Sequence, residues 1–115
     1  MVYNYRMKKY RPRVRALKLA TKVRKRLTQE LDQPVKVIMF GSQARGDAAK
    51  YSDIDLLVIL PSVDRKTRKL VSYVAWEIGF EAGKIISTFP TTKREMENYA
   101  ISPFYKSIKK EGVAA

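Results

Sequence analysis

With 115 residues, 45% of them hydrophobic, the chain has the size of one small domain, too small to bury a core and also enclose a deep private cleft, so any site is shallow or completed by a partner. It has no cysteine and no histidine, which excludes disulfides, zinc centres, thiol nucleophiles and imidazole proton shuttles. The net charge of +13 is unevenly placed: between Arg6 and Arg26 the chain carries eleven Lys and Arg and no acid, which suits a polyanionic partner or, otherwise, a solvated charge-rich surface.

Residues 1–11 read as a loose basic lead-in, in which Tyr3, Tyr5 and Tyr10 either stack bases or pack on the domain. The lead-in lacks the apolar stretch of a signal peptide. From Pro12 to about Asp32, Val14, Leu17, Ala20, Val23, Leu27 and Leu31 fall at helical spacing, and Arg11, Arg15, Lys18, Lys22 and Lys25 form a basic stripe at the same spacing. Pro34 ends this helix. Val35–Phe40 is a β-branched run stopping at Gly41, a buried strand entering a turn. Ser42 is placed to cap a short helix through about Ala48.

Ser52–Leu60 begins with alternation and becomes continuously apolar, a second strand that is polar at its start and buried later. Its strongly apolar part is far too short to cross a bilayer, so the chain reads as soluble and cytoplasmic, with no membrane partner. Arg65–Ala82 is a helix whose apolar face is assigned to Leu70, Val74, Trp76, Ile78 and Phe80, with Gly83 as C-cap. Lys84–Phe89 is a third strand closed by Pro90, and Trp76, Phe80 and Phe89 are expected in the core. The tail holds one or two short helices, with Thr92 or Ser102 as caps, Gly112 as terminator, and Tyr99, Phe104 and Tyr105 in ordinary packing. The order predicts an α/β domain with a small sheet covered by helices.

Two devices stand side by side between these elements. Gly41-Ser42 lies between a strand and a helix start, where glycine permits close approach to the main chain and the exposed N–H groups attract phosphate. By itself such a pair is more often only a turn. Asp53-Ile54-Asp55 opens a strand, so both aspartates share one face and their Cα atoms lie roughly 6.5–7 Å apart. Oxygen ligands without His or Cys favour Mg2+ or Mn2+. An isolated pair of this kind is more often a salt-bridged strand edge.

Gly-Ser, ten intervening residues, then Asp-x-Asp between strands resembles the nucleotidyltransferases of the DNA polymerase β superfamily. GSQARGDAAKYSDIDLLVIL looks like the minimal nucleotidyltransferases of bacteria and archaea, and the tail SPFYKSIKKEG resembles theirs more loosely. The resemblance implies a single nucleotidyltransferase domain over residues 1–115, with a small mixed sheet flanked by helices. It implies that Gly41 and Ser42 hold the β- and γ-phosphates of a nucleoside triphosphate, expected to be ATP, that Asp53 and Asp55 are catalytic and hold Mg2+, and that a nucleoside monophosphate, AMP, passes to a hydroxyl. Arg45, one helical turn beyond Ser42, reaches the phosphates or pairs with Asp47. Ser52 steadies the carboxylates or caps the start of the strand.

Members of this superfamily usually carry a third carboxylate on the strand after the next helix. The matching strand, Lys84–Phe89, contains no acid, and Glu77 and Glu81 fall on the helix before it. A non-catalytic module that holds Mg-nucleotide or masks a partner is therefore the alternative. The resemblance also implies a helical HEPN-type partner, with this chain as the antitoxin of the pair. Nucleic acid bound through the basic N-terminal helix, and an oligomeric assembly, are left open.

Overall fold

The computed structural model describes residues 10–115. The lead-in assigned to residues 1–11, with Tyr3 and Tyr5, therefore lies mostly outside the described residues. Helix α1 (Val14–Leu31) is followed by β1 (Lys36–Phe40), the one-turn helix α2 (Ser42–Arg45) and β2 (Ile54–Ile59). Helix α3 (Arg65–Ala82), β3 (Ile86–Thr91), α4 (Lys93–Asn98), α5 (Pro103–Glu111) and β4 (Val113–Ala114) complete the order. The sheet runs β3-β2-β1-β4. β1 is antiparallel to β2 and to β4, and β2 is parallel to β3, so the sheet is mixed as expected.

Alternation divides the sheet into two faces. Ile54, Leu56 and Val58 of β2 and Val37 and Met39 of β1 point to one face and are almost wholly buried. Against them pack Ala16, Leu19, Ala20, Val23 and Leu27 of α1 with Val71 and Val74 of α3, in one contiguous core. Leu57, on the other face of the sheet, and Ile108 of α5 are also buried, but outside that cluster. Helices thus cover one face fully and the other only in part.

The inner stripe of α3 differs from the one assigned from the sequence. Val71, Val74, Ala75 and Gly79 are buried, whereas Trp76 is 60% exposed and Phe80 72% exposed. Close approach of the helix to the sheet decides this. A Cβ on Gly79 would lie 2.5 Å from the Lys84 carbonyl oxygen and 3.3 Å from Ile86 Cγ1, so only small residues fit inside and the large rings face outward. Phe89, also expected in the core, is on the edge strand and substantially exposed.

The caps behave more simply. Asp64 accepts from the Thr67 amide at 2.8 Å, Thr92 caps α4, Ser102 caps α5, and Gly83 closes α3 at φ 67°. Three boundaries shift. Gly41, not Ser42, is the N-cap of α2, and α2 ends at Arg45 because Gly46 turns left-handed at φ 86°. β3 runs through Pro90 instead of stopping before it, which an edge strand tolerates because it has no second neighbour needing that missing N–H. The two-residue β4 carries no sequence pattern of its own, and only pairing with β1 defines it.

Candidate active site

The antiparallel register of β1 and β2 brings the two halves of the motif together. Phe40 pairs with Asp55, so the glycine turn at the end of β1 lies beside the start of β2 although ten residues separate Ser42 from Asp53. Gly41 has φ 78°, a conformation open to glycine and strained for other residues. Its bare α-carbon also makes room for the carboxylate, since a Cβ there would lie 2.5 Å from Asp55 Oδ2. Ser42 is the first residue of α2, which buries Gln43 and Ala44 behind the turn.

Gln43 is a site residue that the sequence did not single out. Its side-chain amide nitrogen donates to the Ser52 carbonyl at 3.0 Å, and its main-chain carbonyl accepts from the Arg13 amide at 2.9 Å. It therefore straps the glycine turn to the start of β2 and to the chain leading into α1. The Arg11 amide donates to the Arg45 carbonyl, and Gly46 approaches the Arg11 carbonyl too closely for any Cβ. The sequence offered no signal for Gln43, because its burial appears only in the folded chain.

Asp53 is exposed, Ile54 is fully buried in the core and Asp55 is partly buried. The aspartates thus share the incompletely covered face. Burial, and then the neighbouring charge of Asp53, raise Asp55 above the ordinary carboxylate pKa, against a smaller lowering by Arg45. A divalent cation between them would relieve that repulsion, and the all-oxygen donor set fits Mg2+ or Mn2+. Among the described residues no third Asp or Glu joins them in a metal-binding group. The register places Ser87 of β3 beside Asp55, and its hydroxyl donates to Asp53 Oδ2 at 3.4 Å. The β3 residue paired with Asp55 is thus a serine and not an acid. Glu77 is engaged elsewhere, paired with Arg26 and accepting from the Tyr73 hydroxyl at 2.9 Å.

Arg45 pairs with Asp47 through Nε at 3.2 Å, and also with Glu111 of α5, whose two oxygens both lie 3.1 Å from Nη1. Glu111 was not foreseen, although it falls within the tail that resembles the minimal nucleotidyltransferases. Ser52 stands next to the aspartates, but its Oγ accepts from the Ala49 amide at 2.9 Å and so closes the preceding loop. On the same face Phe40, Phe89 and Phe104 meet with ring centroids 5.5–5.7 Å apart, an apolar shelf beside the carboxylates. The basic stripe of Arg11, Arg15, Lys18, Lys22 and Lys25 is exposed along α1. No helix among the described residues is long and apolar enough to cross a membrane.

Comparison with known proteins bears on the family and the fold. The chain is 33% identical over 80 residues to the "Putative protein adenylyltransferase" of Methanocaldococcus jannaschii, a match covering 67% of this chain and 54% of that protein. It is 32% identical over 78 residues to the bifunctional uridylyltransferase/uridylyl-removing enzyme of Burkholderia orbicola, covering 62% of this chain and 9% of that enzyme. The matched region thus spans about half of the first relative and a tenth of the second. The fold matches a crystal structure described as a "putative nucleotidyltransferase" from Sulfolobus solfataricus with a TM-score of 0.52 at 20% identity, over 88% of this chain and 79% of that one. Residues 20–114 match the nucleotidyltransferase domain family, so the chain, with its glycine turn set against paired aspartates, belongs to that family.

Proposed function

We propose that this nucleotidyltransferase transfers AMP from ATP to a hydroxyl of a protein acceptor. The observation that carries the proposal is the junction of Gly41 with Asp55: a phosphate-attracting turn with no Cβ, pressed against a carboxylate pair on one open face. The name of the Methanocaldococcus relative supports a protein acceptor and an adenylyl group. The exposed ladder of Tyr73, Trp76 and Phe80 on α3 gives such an acceptor an apolar surface to meet. A helical HEPN-type protein, with this chain as its antitoxin, is the partner we propose.

In this mechanism the Gly41 turn, the Ser42 hydroxyl and Arg45 hold the β- and γ-phosphates, and Gln43 keeps that turn in register with β2. Phe89 and Phe104, tilted 54° to each other, offer the base an apolar contact. Asp53 and Asp55 are the residues that would hold Mg2+, which when bound offsets charge on the phosphates as transfer proceeds. The acceptor oxygen bonds to the α-phosphorus in line as the bond to the bridging oxygen breaks, and pyrophosphate leaves. Because Ser87 stands where a third acid is usual, the acceptor side brings any further ligand or base.

Label transfer from α-32P-ATP with Mg2+ in lysate of the source organism tests this, run beside Asp53→Asn. Transfer by the wild-type chain alone is expected, and its target identifies the acceptor. Equal labelling with both proteins, or none with either, rejects the proposal. The serine beside Asp55 favours a second reading, a non-catalytic clamp for Mg-nucleotide that masks its partner. That reading expects the Asp53→Asn chain to neutralise a co-expressed partner as well as the wild type does.

A further inference from the structure

Glu111 ends α5 with its carboxylate turned into the glycine turn. One oxygen accepts from the Gly41 amide at 3.1 Å, and both oxygens accept from Arg45 Nη1 at 3.1 Å. The side chain is only 13% exposed. Several features deliver it there. Ser102 caps α5, and the C-terminal β4 pairs Val113 with Met39 while the Ala115 amide donates to the Val37 carbonyl. Between them Gly112 lies so close to Ile38 that a Cβ would come within 2.6 Å of Ile38 Cγ2. The acid is therefore held by the strand after it as well as by its own helix.

Glu111 engages donors, not the carboxylate pair: among the described residues it forms no metal-binding group with Asp53 and Asp55. A main-chain N–H at a left-handed glycine and an adjacent guanidinium are the kind of donors that take up a phosphoryl oxygen. A carboxylate, planar and anionic with two acceptor oxygens, satisfies the same donors. Arg45 has a second acid, Asp47, on its Nε, so its orientation does not depend on Glu111 alone.

We propose that Glu111 is a resident competitor for the phosphate seat, and that a nucleoside triphosphate binds by displacing its carboxylate from Gly41 and Arg45. This rests on the nucleotide-binding reading above and adds a residue that sets the affinity of the site. Rotation of one side chain frees the seat, with no need to unfold α5. A partner that draws α5 and β4 away from β1 would strengthen nucleotide binding by the same route, because both donors would then lack their internal acceptor.

The test is calorimetric titration of inorganic tripolyphosphate, with Mg2+ present, into the full chain and into Glu111→Gln. Glutamine keeps the volume and an acceptor oxygen for the Gly41 amide while removing the charge that competes. The variant is expected to bind about tenfold more tightly, and Glu111→Ala carries the same expectation should the glutamine variant lose its cooperative thermal transition. In 15N spectra the Gly41 amide is expected to respond both to substitution and to ligand. Equal or weaker binding by the variants overturns the proposal and makes Glu111 a buttress for Arg45. Absence of tripolyphosphate binding to every form overturns it too. Failure of nucleotidyl transfer shows separately, as missing label from ATP, and leaves a tripolyphosphate result standing.

Discussion

Asp55 is held where its charge is least comfortable, partly buried and next to Asp53. Its folded-state pKa is raised, so the folded chain holds this proton more firmly than the unfolded chain does. The sign follows by linkage: stability from this group is greatest at low pH and is lost as pH rises through the raised pKa. Asp55→Asn in EDTA is therefore expected to melt above the wild type at neutral pH while abolishing transfer. The two melting curves should converge as pH falls below the ordinary carboxylate range. A variant that melts lower at neutral pH would show that Asp55 is structural. A carboxylate pair kept at some cost to stability accords with the cation site proposed above.

The elements obey two different kinds of rule. Caps and terminators are local: Asp64, Thr92 and Ser102 accept from amides three residues on, and that chemistry is legible in the chain. The faces of α3 are not local. Large apolar residues normally point inward, yet Gly79 and Ala75 face the sheet because the helix approaches it so closely, and Trp76 stacks on Phe80 in solvent at 5.4 Å. Leu56→Ala, on the fully buried centre of β2, is expected to cost about 2–5 kcal/mol in denaturant unfolding. Trp76→Ala is expected to cost no more than about 1.5 kcal/mol, the scale of an aromatic pair at the surface. A loss of about 3–5 kcal/mol for Trp76 would return that ring to the core.

At the scale of the molecule, the sheet separates duties. One face carries the core beneath α1 and α3, and the other carries the carboxylates, the aromatic shelf and the end of α5. The basic stripe along α1 belongs to neither, because it faces outward, and a +13 chain with such a stripe is expected to attract polyanions. Its binding to heparin is expected to fall steeply with salt, and replacing Lys18 and Lys22 by Glu should lower the salt concentration needed for elution. Unchanged elution would place the polyanion contact elsewhere on the surface.

The sequence by itself determined the order of the principal strands and helices and most of their caps. Each depends on neighbours within a few residues or on the period of a strand or helix. Tertiary structure alone decided that Gly41 yields its Cβ space to Asp55, that Ser87 occupies the place facing the aspartates, and that Glu111 reaches back to Arg45. It alone decided that Gln43 is buried as a strap and that Val113 and Ala114 form a strand. These depend on register between strands and on the depth of helix packing, which set distances between residues far apart in the chain and leave no periodic trace along it.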